Sequence, residues 1–105
     1  VRDGKSFVTD GPFMYRTESG KLLMLWSSFG EEGYVEAIAY SENGQVEGDW
    51  KQDERLLFRR DGGHGMLFRT FQGELLLTLH SPNKHLEERP VFYEIEEKDN
   101  WLYVK

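Results

Sequence analysis

Two stretches of the chain decide its fold: MYRTESGKLLMLWSS at residues 14–28 and LFRTFQGELLLTLHS at residues 67–81. They align without gaps at an offset of 53 residues, and an Arg, a Thr, a Gly, two Leu and the last Ser are identical. Each stretch holds two apolar runs of strand length around a Gly-containing turn, and two more strand candidates follow it. A repeat of about 50 residues with about four strands is typical of propeller blades. The pattern by itself also allows two unrelated hairpins that share their turn chemistry.

The turn signals and short apolar runs predict an all-β fold with two antiparallel four-stranded sheets and little helix. The segment YVEAIAYS at residues 34–41 contains good helix formers, but Gly33 and the Asn43-Gly44 pair that bracket it favour a strand. We expect Trp26 to be a core aromatic and Pro82–Pro90 to form a polar loop. Strands are predicted near residues 13–17, 22–28, 34–41, 66–70, 74–81, 91–97 and 101–104, with a short apolar segment at 56–58.

Composition narrows the classes of function. The chain has 105 residues, of which 19 are acidic and 13 basic, and its formal net charge is -6. A nucleic-acid binder would normally show an excess of basic residues. A helix that spans a bilayer needs about 20 consecutive apolar residues, and no apolar run in the sequence approaches that length. We therefore expect no nucleic-acid partner and no membrane partner. Because Cys is absent, the chain has no disulfide, no Cys-based zinc site and no thiol nucleophile.

Two blades cannot close a propeller, because such rings need about four to eight blades. Either several chains assemble, or the chain is part of a longer protein. The open edges of a two-blade unit invite pairing with another chain, so self-association through these blade edges is expected.

Three motifs resemble glycoside hydrolase family 43: TDGPFMYRT at residues 9–17, DGGHGMLFRTFQGELLLTLHSPN at 61–83 and ERPVFYEIEE at 88–97. That family has a five-bladed β-propeller and contains arabinanases, α-L-arabinofuranosidases and β-xylosidases. The resemblance covers residues 8–104 and implies a fragment with the last two blades, about 8–58 as blade four and about 61–105 as blade five. It further implies an inverting hydrolase of arabinofuranosyl or xylosyl linkages in plant polysaccharides.

Asp10 is the candidate catalytic residue. Inverting members of the family pair a general base with a general acid, and the acid is usually the Glu of a Glu-Gly-Pro or Glu-Ala-Pro motif. Asp10 occupies that position in Asp-Gly-Pro, with a side chain one methylene shorter. From the residues alone, the favoured interpretation of Asp10 is a turn residue that caps backbone N–H groups, and the resemblance reverses this preference.

The resemblance implies three further site residues. His64, between two glycines, would point into the central channel and contact a structural calcium, directly or through water; otherwise it is a structural hydrogen-bonding residue. Arg89 would bind sugar hydroxyls with its guanidinium, or else lie solvated at the rim. Phe29 would line the substrate cleft or merely close a turn. No cofactor is required for the expected chemistry.

The resemblance also places the general base on the first blade and an Asp that tunes the acid's pKa on the third. We expect both to lie outside this chain, so the chain alone should be inactive. A non-catalytic carbohydrate-binding or structural β module is the alternative. The whole enzyme, called the parent below, is expected to be secreted or periplasmic, although Val1–Lys5 show no apolar signal region.

Overall fold

A computed structural model describes residues 9–31 and 33–105. The segment Val1–Lys5 and the predicted start of the first blade near residue 8 lie outside the described residues. The described residues contain no helix, and so none that could cross a membrane. Their eight strands are β1 (Asp10–Arg16), β2 (Leu22–Gly30), β3 (Gly33–Ser41), β4 (Trp50–Phe58), β5 (Gly63–Arg69), β6 (Leu75–Ser81), β7 (Arg89–Lys98) and β8 (Trp101–Val104).

The strands form two four-stranded antiparallel sheets. Strands β1–β4 follow one another in the first sheet, and β5–β8 do so in the second. Each pair of consecutive strands is joined by a short connection, as in a meander of hairpins. The predicted all-β class with two antiparallel four-stranded sheets is confirmed, and the segment at residues 34–41 is a strand.

The identical residues of the repeat build the first turn of each sheet in the same way. The guanidinium of Arg16 donates to the carbonyl oxygen of Gly20 at 2.9 Å, and that of Arg69 donates to the carbonyl oxygen of Gly73 at 3.1 Å. Both glycines have a left-handed backbone, with φ of 102° and 91°, which L side chains rarely adopt. The two stretches are therefore equivalent first hairpins of two equivalent sheets.

The hydrophobic core lies between the two sheets. Alternate side chains of β1, β2 and β3 point towards the second sheet, because successive residues of a strand face opposite sides. Leu25, Ile38 and Leu77 are completely buried at this junction. The buried cluster comprises Leu23, Leu25, Ile38, Leu57 and Phe58 of the first sheet and Leu67, Leu75, Leu77, Leu79, Ile95, Trp101 and Leu102 of the second.

Three details differ from the sequence-based expectation. β4 extends over Trp50–Phe58 and includes the charged segment that precedes the predicted apolar residues 56–58. β4 can contain these charged residues because it is an edge strand of its sheet and exposes much of its length to solvent. β7 begins at Arg89, so the loop after Pro82 is shorter than predicted. Trp26 is half-buried on the face of the first sheet that points away from the core, because it alternates with Leu25.

Candidate functional site

The repeat also determines how the first strand of each sheet begins, β1 in the first sheet and β5 in the second. Pairing between β1 and β2 shifts register between Asp10 and Phe13, and pairing between β5 and β6 shifts between Gly63 and Met66. Gly11 and His64, 53 residues apart, both have a left-handed backbone, with φ of 55° and 57°. Bulges of this kind re-aim side chains near functional sites. Here the two bulges bring Asp10 and His64 together.

The carboxyl group of Asp10 lies at the junction of the two bulges and is half exposed. Its Oδ1 accepts a hydrogen bond from the backbone N–H of Gly11 at 3.0 Å, and its Oδ2 accepts one from the Tyr34 hydroxyl at 3.1 Å. The Nδ1 atom of His64 is 3.8 Å from Oδ2. Asp10 therefore does cap a backbone N–H, as the turn interpretation expects, while its carboxyl group stays accessible from solvent.

The backbone of His64 is anchored by a buried network on the first sheet. Its N–H donates to Oγ of Ser27 at 2.6 Å, and that hydroxyl donates to Oε1 of Glu36 at 2.7 Å. The N–H of Gly65 donates to the same Oε1 at 3.3 Å. Ser27 and Glu36 face each other directly across β2 and β3, so the sheet register holds them together. The network leaves the His64 imidazole exposed beside Asp10.

Glu36 is the residue that the sequence analysis missed. Its side chain is fully buried, and burial raises its pKa to about 7 despite the hydrogen bonds that it accepts from Ser27 and Gly65. Its Oε2 has no hydrogen-bond partner among residues 9–31 and 33–105. The signal in the sequence is a single Glu inside the apolar run of residues 34–40, where a charged group is costly to bury.

Two glycines let the sheets approach closely at this point. A Cβ atom on Gly63 would lie 2.7 Å from both Oγ of Ser27 and the ring of Tyr34. A Cβ atom on Gly11 would lie 2.8 Å from the ring of His64. Both separations are shorter than carbon contacts allow, so these positions need glycine.

Tyr34 connects the carboxylate to an aromatic cluster. Burial raises the pKa of its hydroxyl, and the neighbouring Asp10 and Glu36 carboxyl groups raise it further. A hydrogen bond with Ser27 lowers this pKa in part. The hydroxyl therefore remains a hydrogen-bond donor to Asp10. The Tyr34 ring stacks on His80 with centroids 5.5 Å apart and packs at a tilt against Phe29 at 5.1 Å. Phe29 is exposed, so one face of this cluster is open to solvent.

Arg89 lies on the second sheet, in the groove that also contains His64. This groove has a volume of about 360 Å³ and is further lined by Met66, Thr78, Leu79, His80, Glu88 and Pro90. The guanidinium donates to the carbonyl oxygen of Glu88 at 2.9 Å, and the residue is otherwise exposed. The structure thus brings His64 together both with Asp10 and with Arg89, and Phe29 adjoins Tyr34 beside Asp10.

A calcium site at His64 is not formed by the described residues alone. They contain no group of three or more His, Asp or Glu side chains that could hold a metal ion. Calcium takes about six to eight oxygen ligands, whereas Asp10 is the one carboxylate paired with His64 here. The predicted contact between His64 and a metal stays a prediction.

Asp61, near His64 in the sequence, has a structural role. Its carboxyl oxygens accept hydrogen bonds from the backbone N–H groups of Tyr34 at 3.0 Å and Asn83 at 3.2 Å. The residue itself has a left-handed backbone, with φ of 59°. Asp61 thus joins the first sheet to the loop after β6, and both of its carboxyl oxygens are engaged.

The arrangement is similar to parts of two solved structures from Bacteroides thetaiotaomicron VPI-5482. An endo-arabinase matches 90% of this chain with a TM-score of 0.83 and 44% sequence identity. An endo-1,4-beta-xylanase matches 93% with a TM-score of 0.78 and 19% identity, a likeness that shows the fold alone. The chain spans 34% and 38% of the lengths of those proteins. A scan against protein-family models and a search of curated proteins give no match.

These likenesses and the topology agree on the architecture. Each sheet is a four-stranded antiparallel meander, and the two stack through alternate apolar residues. The chain therefore has the fold of two consecutive propeller blades, with the Asp10 and His64 bulges at the inner strands of the two blades.

Proposed function

We propose that this chain is the acid-bearing part of a glycoside hydrolase that cleaves arabinofuranosyl or xylosyl linkages in plant polysaccharides, with arabinan as the first substrate to test. The observation that carries the proposal is the 44% identity to an endo-arabinase over 90% of the chain. The exposed carboxyl group of Asp10, held at the junction of two blades, supports it. The proposal includes membership of glycoside hydrolase family 43 and a secreted or periplasmic parent.

In this proposal Asp10 protonates the glycosidic oxygen as the bond breaks. Its contacts with the Gly11 N–H and the Tyr34 hydroxyl fix the direction of the carboxyl group. An inverting hydrolase also needs a second carboxylate about 6.5–9.5 Å away, which activates water on the opposite face of the sugar. That base belongs to another part of the parent.

Arg89 and Phe29 are proposed to bind the sugar. The planar guanidinium of Arg89 can donate two parallel hydrogen bonds, which suits a pair of neighbouring hydroxyl groups. It lines the same groove as His64, which is beside Asp10, so a sugar held by Arg89 would lie near the acid. The exposed ring of Phe29 offers an apolar surface beside Tyr34 for the less polar face of a sugar ring.

A chimera tests the proposal directly. Residues 9–105 replace the structurally equivalent segment of the endo-arabinase from Bacteroides thetaiotaomicron, and arabinan hydrolysis is measured. We expect the chimera to hydrolyse arabinan, and Asp10→Ala within it to reduce kcat by about 10²–10⁴-fold, the usual contribution of a general acid. Asp49→Ala, which removes another exposed Asp outside the site, is the matched control and should leave kcat unchanged.

Two results would contradict the proposal. A folded chimera that hydrolyses arabinan equally well with and without Asp10 would remove this residue from the chemistry. A folded chimera that binds arabino-oligosaccharides but hydrolyses none would instead support the non-catalytic carbohydrate-binding alternative.

Arg89→Ala in the active chimera should raise KM, because it removes a contact with the bound sugar.

A further inference from the structure

Ser27 and Glu36 form a polar pair inside the apolar junction of the two sheets. They are direct partners across β2 and β3, and both residues are fully buried. The next pair on the same side of these strands is Leu25 with Ile38, and both of these are fully buried as well. A buried Glu costs stability unless its oxygens are hydrogen-bonded, so the pair needs a physical reason that core packing does not give.

The second sheet has a different pair at the corresponding place. His80 lies 53 residues after Ser27, and its partner across β6 and β7 is Pro90. The repeat that builds both sheets therefore does not require a Ser and a Glu at this position. The pair instead serves the contact that the first sheet makes with the second.

The pair receives two N–H groups from the bulge of the second sheet. The register of β5 with β6 shifts over His64 and Gly65, which have no partner residue among Leu75–Ser81. The N–H of His64 donates instead to Oγ of Ser27 at 2.6 Å, and that of Gly65 donates to Oε1 of Glu36 at 3.3 Å. The Ser27 hydroxyl donates to the same Oε1 at 2.7 Å. One carboxyl oxygen of Glu36 thus ends a chain of hydrogen bonds that holds both bulged residues.

Glu36 uses only this one oxygen. Its Oε2 has no hydrogen-bond partner among residues 9–31 and 33–105, and it lies against Gly65, where an added Cβ atom would be 3.3 Å away. An orphan oxygen in the core lowers stability, so the fold alone does not explain why a carboxyl group is kept here. What remains to explain it is the bulge that the carboxyl group holds.

The bulge places the His64 imidazole beside the carboxyl group of Asp10. His64 has a φ of 57°, a left-handed backbone that is costly for residues other than glycine. Such a conformation persists where the surrounding structure fixes it, and the bond from the His64 N–H to Ser27 does so here. Nδ1 of His64 lies 3.8 Å from Oδ2 of Asp10, so a shift of the bulge would change this separation directly.

We propose that Glu36 is a positioning residue of the candidate site: through Ser27 it holds the bulge that keeps the His64 imidazole beside Asp10. The hydrogen bonds of this unit lie in the buried junction between the two sheets, so they do not depend on other parts of the parent. Where it concerns catalysis, the inference rests on the proposed function. Displacement of His64 should then slow proton transfer from Asp10 more than it weakens substrate binding.

Nuclear magnetic resonance of the 105-residue chain tests the positioning without substrate. Glu36→Leu removes the acceptor oxygen, and Ser27→Ala removes the hydroxyl between it and His64. Both should displace the His64 imidazole signals and weaken the contact of this ring with Gly11. Glu36→Gln keeps an oxygen for Ser27 and Gly65, so its His64 signals should remain those of the wild type.

Ile38→Val is the matched control, because Ile38 is the next residue on the same side of β3 and takes no part in the network. It should lower stability, as the loss of a core methyl group does, but leave the His64 signals in place. Unchanged His64 signals in folded Glu36→Leu or in Ser27→Ala would overturn the proposal. So would an equal displacement in Ile38→Val, or a Glu36→Gln variant that behaves like Glu36→Leu. Ser27→Ala removes a single oxygen atom, so it carries the test if Glu36→Leu does not fold.

The active chimera tests the consequence for catalysis. Glu36→Leu should lower kcat by about 10²-fold, the cost of a misplacement of about 1 Å, and leave KM unchanged. Glu36→Gln should restore kcat. Displaced His64 signals with an unchanged kcat would overturn the catalytic part of the inference, even where Asp10→Ala confirms the hydrolase. A chimera that is inactive without these substitutions would count against the proposed hydrolase, and the His64 signals alone would then decide the positioning.

Discussion

The carboxyl group of Glu36 is a proton-binding site inside the junction of the two sheets. It is fully buried, and burial raises its pKa to about 7, well above the ordinary 4.5. The folded state therefore binds a proton at this group over a pH range in which the unfolded chain has released it. Such a difference makes the free energy of unfolding fall as the pH rises from about 4.5 to about 7.

Replacement of Glu36 by Gln should flatten this pH dependence. The amide keeps an oxygen for Ser27 and Gly65 but cannot ionise. Relative to Glu36→Gln, the wild type should lose about 3 kcal/mol of stability between acid and neutral pH, since each pKa unit is worth about 1.4 kcal/mol. Urea unfolding at fixed protein concentration across this range measures the difference. An identical pH profile for both proteins would show that Glu36 does not hold the proton.

The leaving group of the substrate distinguishes a general-acid role of Asp10 from a purely capping role. In the active chimera, Asp10→Ala should slow arabinosides with poor leaving groups by about 10²–10⁴-fold, because these need a proton in the transition state. Substrates whose leaving group departs without a proton should be affected much less. The measurement is kcat/KM across a series of aryl arabinofuranosides. A uniform response across the series would indicate a structural role worth about 1 kcal/mol of local stability.

Among the elements, the bulge at the start of β5 is held by close packing against the first sheet. Gly63→Ala would place a Cβ atom 2.7 Å from the Tyr34 ring, and such overpacking costs about 1–3 kcal/mol. Nuclear magnetic resonance should also show displaced signals of Tyr34 and His64. Gly73→Ala is the control, because nothing lies within 4 Å and its cost comes from left-handed strain alone. If Gly73→Ala displaced the Tyr34 signals as much as Gly63→Ala does, close packing at the bulge would be refuted.

The sequence predicts the elements whose causes are local. The repeated Arg, Thr and Gly build both first turns, so the hairpins around residues 14–28 and 67–81 could be predicted from the sequence. β4 could not be placed in full, because its polar residues belong to an exposed outer strand with no apolar alternation. Trp26 was wrongly expected in the core, since hydrophobicity does not tell which side of a sheet an alternating residue faces.

The candidate site depends on relations that no local pattern carries. Asp10 and His64 were predicted from motifs, but their approach requires two sheets to stack at a defined register. Glu36 was missed because its role follows from the residue opposite it on β2 and from N–H groups on the other sheet. Such buried polar groups are specified by tertiary packing and become visible only with the fold.

At the scale of the whole molecule, both sheets share one core, so they should unfold together. Leu77 is completely buried at the junction, and Leu77→Ala should destabilise the chain by about 2–5 kcal/mol through lost burial and an unfilled cavity. Leu86→Ala removes an exposed Leu and should change stability by less than about 0.5 kcal/mol. Near-ultraviolet and far-ultraviolet circular dichroism should report one common transition. Two separate transitions would show that the sheets fold independently.

In the proposed function Asp10 is an acid whose partner base lies in another part of the parent, so the 105-residue chain should not hydrolyse aryl arabinofuranosides, aryl xylosides or arabinan. Among the described carboxylates near Asp10, Asp61 is engaged by two backbone N–H groups and Glu36 is buried, so neither can activate a water in solvent. The active chimera is the positive control for the turnover assay. Turnover by the purified chain that disappears with Asp10→Ala would contradict a base outside this chain and direct the search for the base to Asp3 and Asp49.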